Sequence, residues 1–412
     1  MRKFITLWIV SLISLTCCIH NQDIPGNDTD TAENTRFNAS EQSDIEFADM
    51  IFEKAFGKTR AVTNAKSVEV FLRNRTRTNC TETTSDTLFS IVNYMDERGF
   101  VMIGKDCGNR ILYALSDEGH LNLADTLANP GLAIYIKGLR HALDNPLKPD
   151  MEPAVSLVST IDPEITTYTP MLNANVRLWD QGDPFNSEIA FMGNSPIRPK
   201  VGCIPLAMGM VMTFFEWPNR YSYKTDTPAS FNWSIIKEAD IFNIYGHQSG
   251  FHHIAILLDK LRNGYNLNTT LSGEESITDN KKVKDTFCHF EYNVNGDWEA
   301  SINYANLMGT KPIMAGGKET HINNATGIEE TRGHCWILDG LITIKWIENV
   351  NSEEREVWEY YPHCVWGIGG LNNGYYLFHR HGQSVYKSDW GSPATSVVYK
   401  DLLYYSGYSK PI

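Results

Sequence analysis

KVGCIPLAMGMVMTFFEWPNRY, residues 200–221, is the stretch on which the fold turns. From Ile204 to Phe215 no residue is charged, and the Thr213 hydroxyl is the one polar group. A run apolar on every side predicts a helix buried between other elements. Gly202 lets the chain turn tightly into that helix. Pro205 fits its first turn, where a missing N–H costs nothing. One thiol, Cys203, stands at the start. Unpaired N–H groups and partial positive charge collect at a helix N-terminus. They stabilise a thiolate, which is the nucleophilic form. Most buried cysteines, however, are small core residues, and this stretch alone leaves both readings open.

A thiolate nucleophile needs a base. Among twelve histidines, His334 stands out in TRGHCWILDGLITIKW (331–346), after a glycine and ahead of a strand-like run. Alternation along that strand puts His334, Trp336 and Leu338 on one face, and Cys335, Ile337 and Asp339 on the other. Further on, YYPHCVWGIGGLNNGYYLFHR (360–380) reads as a glycine-rich aromatic turn, an Asn-Asn-Gly signal and another strand, a hairpin pattern. His334-Cys335 and His363-Cys364 could be four zinc ligands. Adjacent strand residues point to opposite faces, though, and the usual two- to four-residue ligand spacing is missing. No metal site is expected.

The rest of the chain supplies the frame. Its 412 residues allow two or three domains. Apolar content of 42% with 21% charged residues is ordinary for a globular protein. The net charge of −13 argues against nucleic acid as a partner, since phosphate contacts need a basic face. Residues 1–18 read as an export signal: Arg2 and Lys3, an apolar run to about Leu15, then Cys17-Cys18. The run is too short to span a membrane. LTCC resembles a bacterial lipobox in which the Cys18 thiol would carry lipid; the alternative is a plain signal whose cysteines leave with it. Residues 19–44 are polar and without periodicity, a flexible tether. Six cysteines then remain, with no spacing like a disulfide framework; Cys80 with Cys107 is a candidate pair.

Residues 45–165 form a first unit. EFADMIFEKAF (46–56) and GLAIYIKGLRHALDN (131–145) have helical spacing. SVEVFLRN (67–74), TLFSIVNYM (87–95), GFVMIGKD (99–106) and ILYALSDEG (111–119) read as strands. Five prolines in residues 146–170 give a linker composition, so a boundary is expected near residue 165, with a larger unit over 166–412.

In this order, WDQGDPFN (179–186), GCIPLAMGMVMTFFEWPNRY (202–221), KPIMAGG (311–317), GHCWILDG (333–340) and WGIGGLNNGYYLF (366–378) resemble the streptopain-like cysteine proteases. Those are secreted bacterial enzymes of the papain-like clan. Residues 45–165 resemble their prosegment. The resemblance implies an α+β papain-like protease fold preceded by a small α+β prosegment. It implies Cys203 as nucleophile and His334 as general base. It implies Gln181 as the side-chain amide that joins the Cys203 N–H in the oxyanion hole, and Trp366 as the ring beside the histidine. It further implies a zymogen endopeptidase that needs no cofactor. Its partners would be protein or peptide substrates and its own prosegment as intramolecular inhibitor. With the export signal, it would lie on the outer surface or in the periplasm as a lipoprotein, or be secreted.

Three departures stand out. Val365 occupies the place where the family has an asparagine before the tryptophan, so His334 must be held by packing on Trp366 and a hydrogen bond to a backbone carbonyl or water. On that reading, Val365→Asn leaves the enzyme no slower. GCIPLAMGMV replaces the family's GCVATAxAQI, and YNLNTTLSGEESIT (265–278) lacks the glycine- and serine-rich pocket pattern. Two alternatives follow: a catalytically impaired lipoprotein that keeps the fold as a binding module, and a small-molecule amide hydrolase.

Overall fold

The computed structural model describes residues 39–57, 66–76, 83–106, 109–144, 162–272, 275–277, 280–322, 329–350, 353–382 and 402–411. The export signal, Cys17, Cys18, most of the tether, Cys80 and Cys107 lie outside the described residues.

The first unit forms as its periodicity predicts. Helix α1 (Ala39–Phe56) precedes an antiparallel meander of β1 (Lys66–Thr76), β2 (Thr83–Tyr94), β3 (Phe100–Asp106) and β4 (Asn109–Ser116). Helix α2 (Pro130–Asp144) follows. Asn129 caps it, accepting from the Leu132 N–H at 3.0 Å. Pro130 opens its first turn, where no donor is lost.

The second unit begins with β5 (Glu164–Tyr168) and the short helix α3 (Ala174–Arg177). Helix α4 (Cys203–Phe215) is the apolar run read from the sequence, and every residue from Ile204 to Thr213 is buried. The helices Trp233–Glu238 and Gln248–Arg262 supply much of the core packed around it. Four strands complete the frame: β6 (Ile313–Ile322), β7 (Glu329–Val350), β8 (Glu353–Val365) and β9 (Gly374–Tyr376). Two more, β10 (His379–Gly382) and β11 (Leu403–Tyr405), pair β8 and β6 respectively.

Two findings revise the expected division at residue 165. Among the described residues the units share one eleven-stranded sheet, whose main path runs β1-β2-β3-β4-β9-β8-β7-β6-β11 with β10 and β5 pairing β8 and β7 off it, joined where Tyr375 and Tyr376 of β9 pair Leu115 and Ala114 of β4. In addition, the boundary falls inside β5, which pairs Leu341–Lys345 of β7. Lys54 of α1 contacts the Pro163 carbonyl at 3.0 Å and the Asp162 carboxylate at 2.6 Å, and Thr167 donates to the Ala55 carbonyl. The prolines around it read as a linker, but Glu-Ile-Thr-Thr-Tyr carries strand formers that fill a β position. Local composition could not reveal its partner, which lies about 175 residues away in sequence.

Candidate active site

Cys203 is the first residue of α4, half-buried and outside any disulfide. Gly202 precedes it with φ 101°, a left-handed conformation that glycine adopts without strain. The helix start lies against β7. Cys335 and Ile337 point into the core around α4, and the Cys335 thiol is pushed up chiefly by burial and further by the nearness of the Cys203 thiol. The nucleophile candidate therefore stands beside β7 at the residue next to His334.

Strand alternation sends the other β7 side chains the opposite way, as predicted. His334 stacks on Trp336, with ring centroids 6.2 Å apart and planes 15° apart, and Trp336 packs on Trp366 at 5.3 Å. The ring nitrogen Nε2–H of His334 donates to the Trp366 carbonyl at 2.8 Å. A carbonyl only accepts, so this bond places the proton on Nε2 and leaves the Nδ1 lone pair as the base. The hydrogen bond sought in place of the family asparagine is thus supplied by backbone. Val365 itself is fully buried among Ile337, Cys335 and the α4 side chains.

Gln181 lies in the loop after α3. Its carbonyl accepts from the Val201 N–H at 2.9 Å, two residues before Cys203. Buried Trp179 and Phe185 pin that loop, and Asn186 donates to the Pro199 carbonyl. WDQGDPFN is therefore a brace that carries Gln181 to the start of α4. His363 takes no part in this cluster. Its Nδ1–H donates to buried Asp339 at 2.6 Å, and the second Asp339 oxygen accepts from the Leu172 N–H. Of the four residues weighed as zinc ligands, His363 is thus committed to Asp339, which in turn holds the Leu172 backbone at the start of the second unit.

One contact was not legible in the motifs. Helix α2 of the first unit lies over His334. A Cβ placed on Gly131 would stand 2.3 and 2.8 Å from Trp366 ring carbons and 3.0 Å from His334 Cδ2. Ile134 approaches Gly317, the β6 partner of His334. Asn129 fixes the helix start by donating to the Leu371 carbonyl at 3.1 Å. His334 is only 5% exposed. Burial pushes its pKa down to about 4, against the smaller upward pull of the Trp366 carbonyl. In this arrangement the imidazole is neutral at neutral pH.

Residues 179–376 match the model of the Peptidase C10 family. They are a C10-family peptidase domain. A thiol protease/hemagglutinin PrtT of Porphyromonas gingivalis is 26% identical over 150 residues, 34% of this chain. That alignment spans only 17% of the relative's length. A fragment of Prevotella intermedia prointerpain A superposes with a TM-score of 0.50 at 16% identity, over 83% of this chain and 100% of that one. It bears out the expected α+β fold of prosegment and protease domain. Active interpain A from the same organism superposes with a TM-score of 0.36 at 16% identity, over 51% of this chain and 85% of that one.

Proposed function

We propose that the C10 domain is a cysteine endopeptidase made as a latent zymogen. The carrying observation is the His334–Trp366 hydrogen bond on the strand against which the Cys203 helix packs. It supports an imidazole preset as a base next to a thiol at a helix N-terminus. In the reaction, His334 Nδ1 takes the Cys203 proton and the thiolate attacks the scissile carbonyl. The Cys203 N–H and the Gln181 amide receive the oxyanion. The imidazolium then protonates the leaving amine, which leaves a thioester. Water, deprotonated by His334, hydrolyses that ester and restores the thiol.

Latency follows from α2. With Gly131 against the rings, His334 is buried and resists becoming the imidazolium that both steps need. Removal of α2 wets the ring and returns its pKa toward the ordinary value. The activating cut lies N-terminal to β5, because β5 pairs directly with Leu341–Lys345 of β7 and stays with the C10 domain. Export, lipid attachment at Cys18 and protein substrates complete the proposal.

A peptide-like, thiol-directed inhibitor tests it. It should label Cys203 after removal of the N-terminal unit and leave the intact chain unlabelled, as read by peptide mass spectrometry. Equal labelling of the intact chain would refute the latency; no labelling of either form would refute the enzyme.

A further inference from the structure

We propose that Asn373 is a positioning residue that joins the base to the oxyanion loop, an inference that rests on the protease reading above. Trp366 offers its carbonyl to His334, so the orientation of the Trp366 backbone sets the imidazole. That backbone is held from behind: the Trp366 N–H donates to Asn373 Oδ1 at 3.1 Å. The other end of the same amide, Asn373 Nδ2, donates to the Arg177 carbonyl at 3.0 Å. Arg177 ends α3, four residues before Gln181. One planar side chain, with its acceptor and donor at opposite ends, therefore ties the residue that orients His334 to the loop that carries Gln181. A second strut runs beside it, from the Gly369 N–H to the Trp179 carbonyl at 3.2 Å.

A turn alone does not require this residue. The left-handed position of the Asn-Asn-Gly turn is Asn372, with φ 58°. Asn372 also faces the other way: its Nδ2 contacts the His120 carbonyl at 3.2 Å and Asp125 at 3.4 Å, in the first unit. The two neighbouring asparagines thus divide the work, Asn372 toward the first unit and Asn373 toward the site.

The two ends of Asn373 can be tested separately. Aspartate keeps an acceptor for the Trp366 N–H but has no donor for Arg177, whereas alanine has neither. The full-length chain with ¹⁵N-labelled histidine reports the His334 tautomer, with the signal assigned by its loss in His334→Gln. Asn373→Asp should keep the single Nε2–H tautomer, and Asn373→Ala should turn it into a mixture. Turnover of a peptide amide by the activated protein, measured against pH, adds a second reading. Both variants should lose about 10- to 100-fold in kcat with KM nearly unchanged, from a displaced oxyanion loop. Only Asn373→Ala should also shift the acid limb. A wild-type tautomer and pH profile in Asn373→Ala would overturn the proposal. So would a lowered melting temperature in both variants with no difference in tautomer between them, the mark of a merely structural residue. Turnover in Cys203→Ala equal to wild type would sink the protease reading instead, and the tautomer measurement would still decide the role of Asn373.

Discussion

Replacing Gly131 by alanine should make the zymogen leak. Its added methyl would sit 2.3 Å from Trp366 Cε3, 2.8 Å from Cζ3 and 3.0 Å from His334 Cδ2. The rings cannot retreat easily: the Trp366 indole N–H donates to the Asn372 carbonyl at 2.9 Å, its backbone N–H is held by Asn373, and its carbonyl holds His334. Helix α2 must therefore move. Overpacking of this kind costs about 1–3 kcal/mol. Since about 1.4 kcal/mol is tenfold in an equilibrium constant, the lifted population should rise roughly 5- to 150-fold. Alanine's better helix propensity acts on α2 whether docked or lifted and so cancels. The assay is the initial rate of peptide-amide hydrolysis by the uncut chain under reducing conditions, with its length checked at the end. Arg140→Ala, on an exposed position of the same helix, should leave the rate unchanged. A Gly131→Ala chain as silent as wild type, yet fully active once cut, would refute the docking argument.

Three further outcomes follow. Docked His334 has its pKa held at about 4, below the ordinary 6.5, so the released state takes up a proton that the docked state refuses. Docking is therefore at full strength above about pH 6.5 and weakens as pH falls toward 4, by about 3 kcal/mol in all; hydrogen exchange of α2, corrected for intrinsic rates, should accelerate over that range and lose the trend in His334→Gln. Val365→Asn, expected from the motif to be neutral or helpful, should instead cost about 1–3 kcal/mol and speed nothing, because the amide would be buried without a partner while Nε2 already has the Trp366 carbonyl; a melt and the turnover rate decide it. His363→Ala should destabilise the fold by about 1–3 kcal/mol, since it leaves the buried Asp339 carboxylate short of a hydrogen-bond donor, and denaturant unfolding should register the loss.

Much of this was legible because it is written in short-range pattern. The α4 helix announces itself by an uninterrupted apolar run, and the strand of His334 by alternation that correctly parted His334 and Trp336 from Cys335 and Ile337. The meander and α2 follow from periodicity, and Asn129-Pro130 is a cap signal that would have fixed the start of α2 one residue earlier than Gly131. What stayed hidden depends on pairings distant in sequence. β5 looks like linker until β7 supplies its ladder, and the sheet shared by both units rests on a two-residue pairing of β9 with β4. Val365 in the motif left the partner of His334 open between a backbone carbonyl and a water, and only the folded turn shows that the Trp366 carbonyl, one residue along, fills that place. Asn373 was hidden in the same way: its sequence context reads as a turn, and only the positions of Trp366 and Arg177 give its amide two partners.

The central claim is that Cys203 is a nucleophile, and the most direct test is turnover of casein by the activated wild-type protein beside Cys203→Ala. Cys203 is half-buried at a helix start, so alanine should leave the melting temperature close to wild type. If Cys203 is the nucleophile, wild type hydrolyses casein and the folded variant does not rise above background. Equal hydrolysis by the two, or none by either, would contradict it.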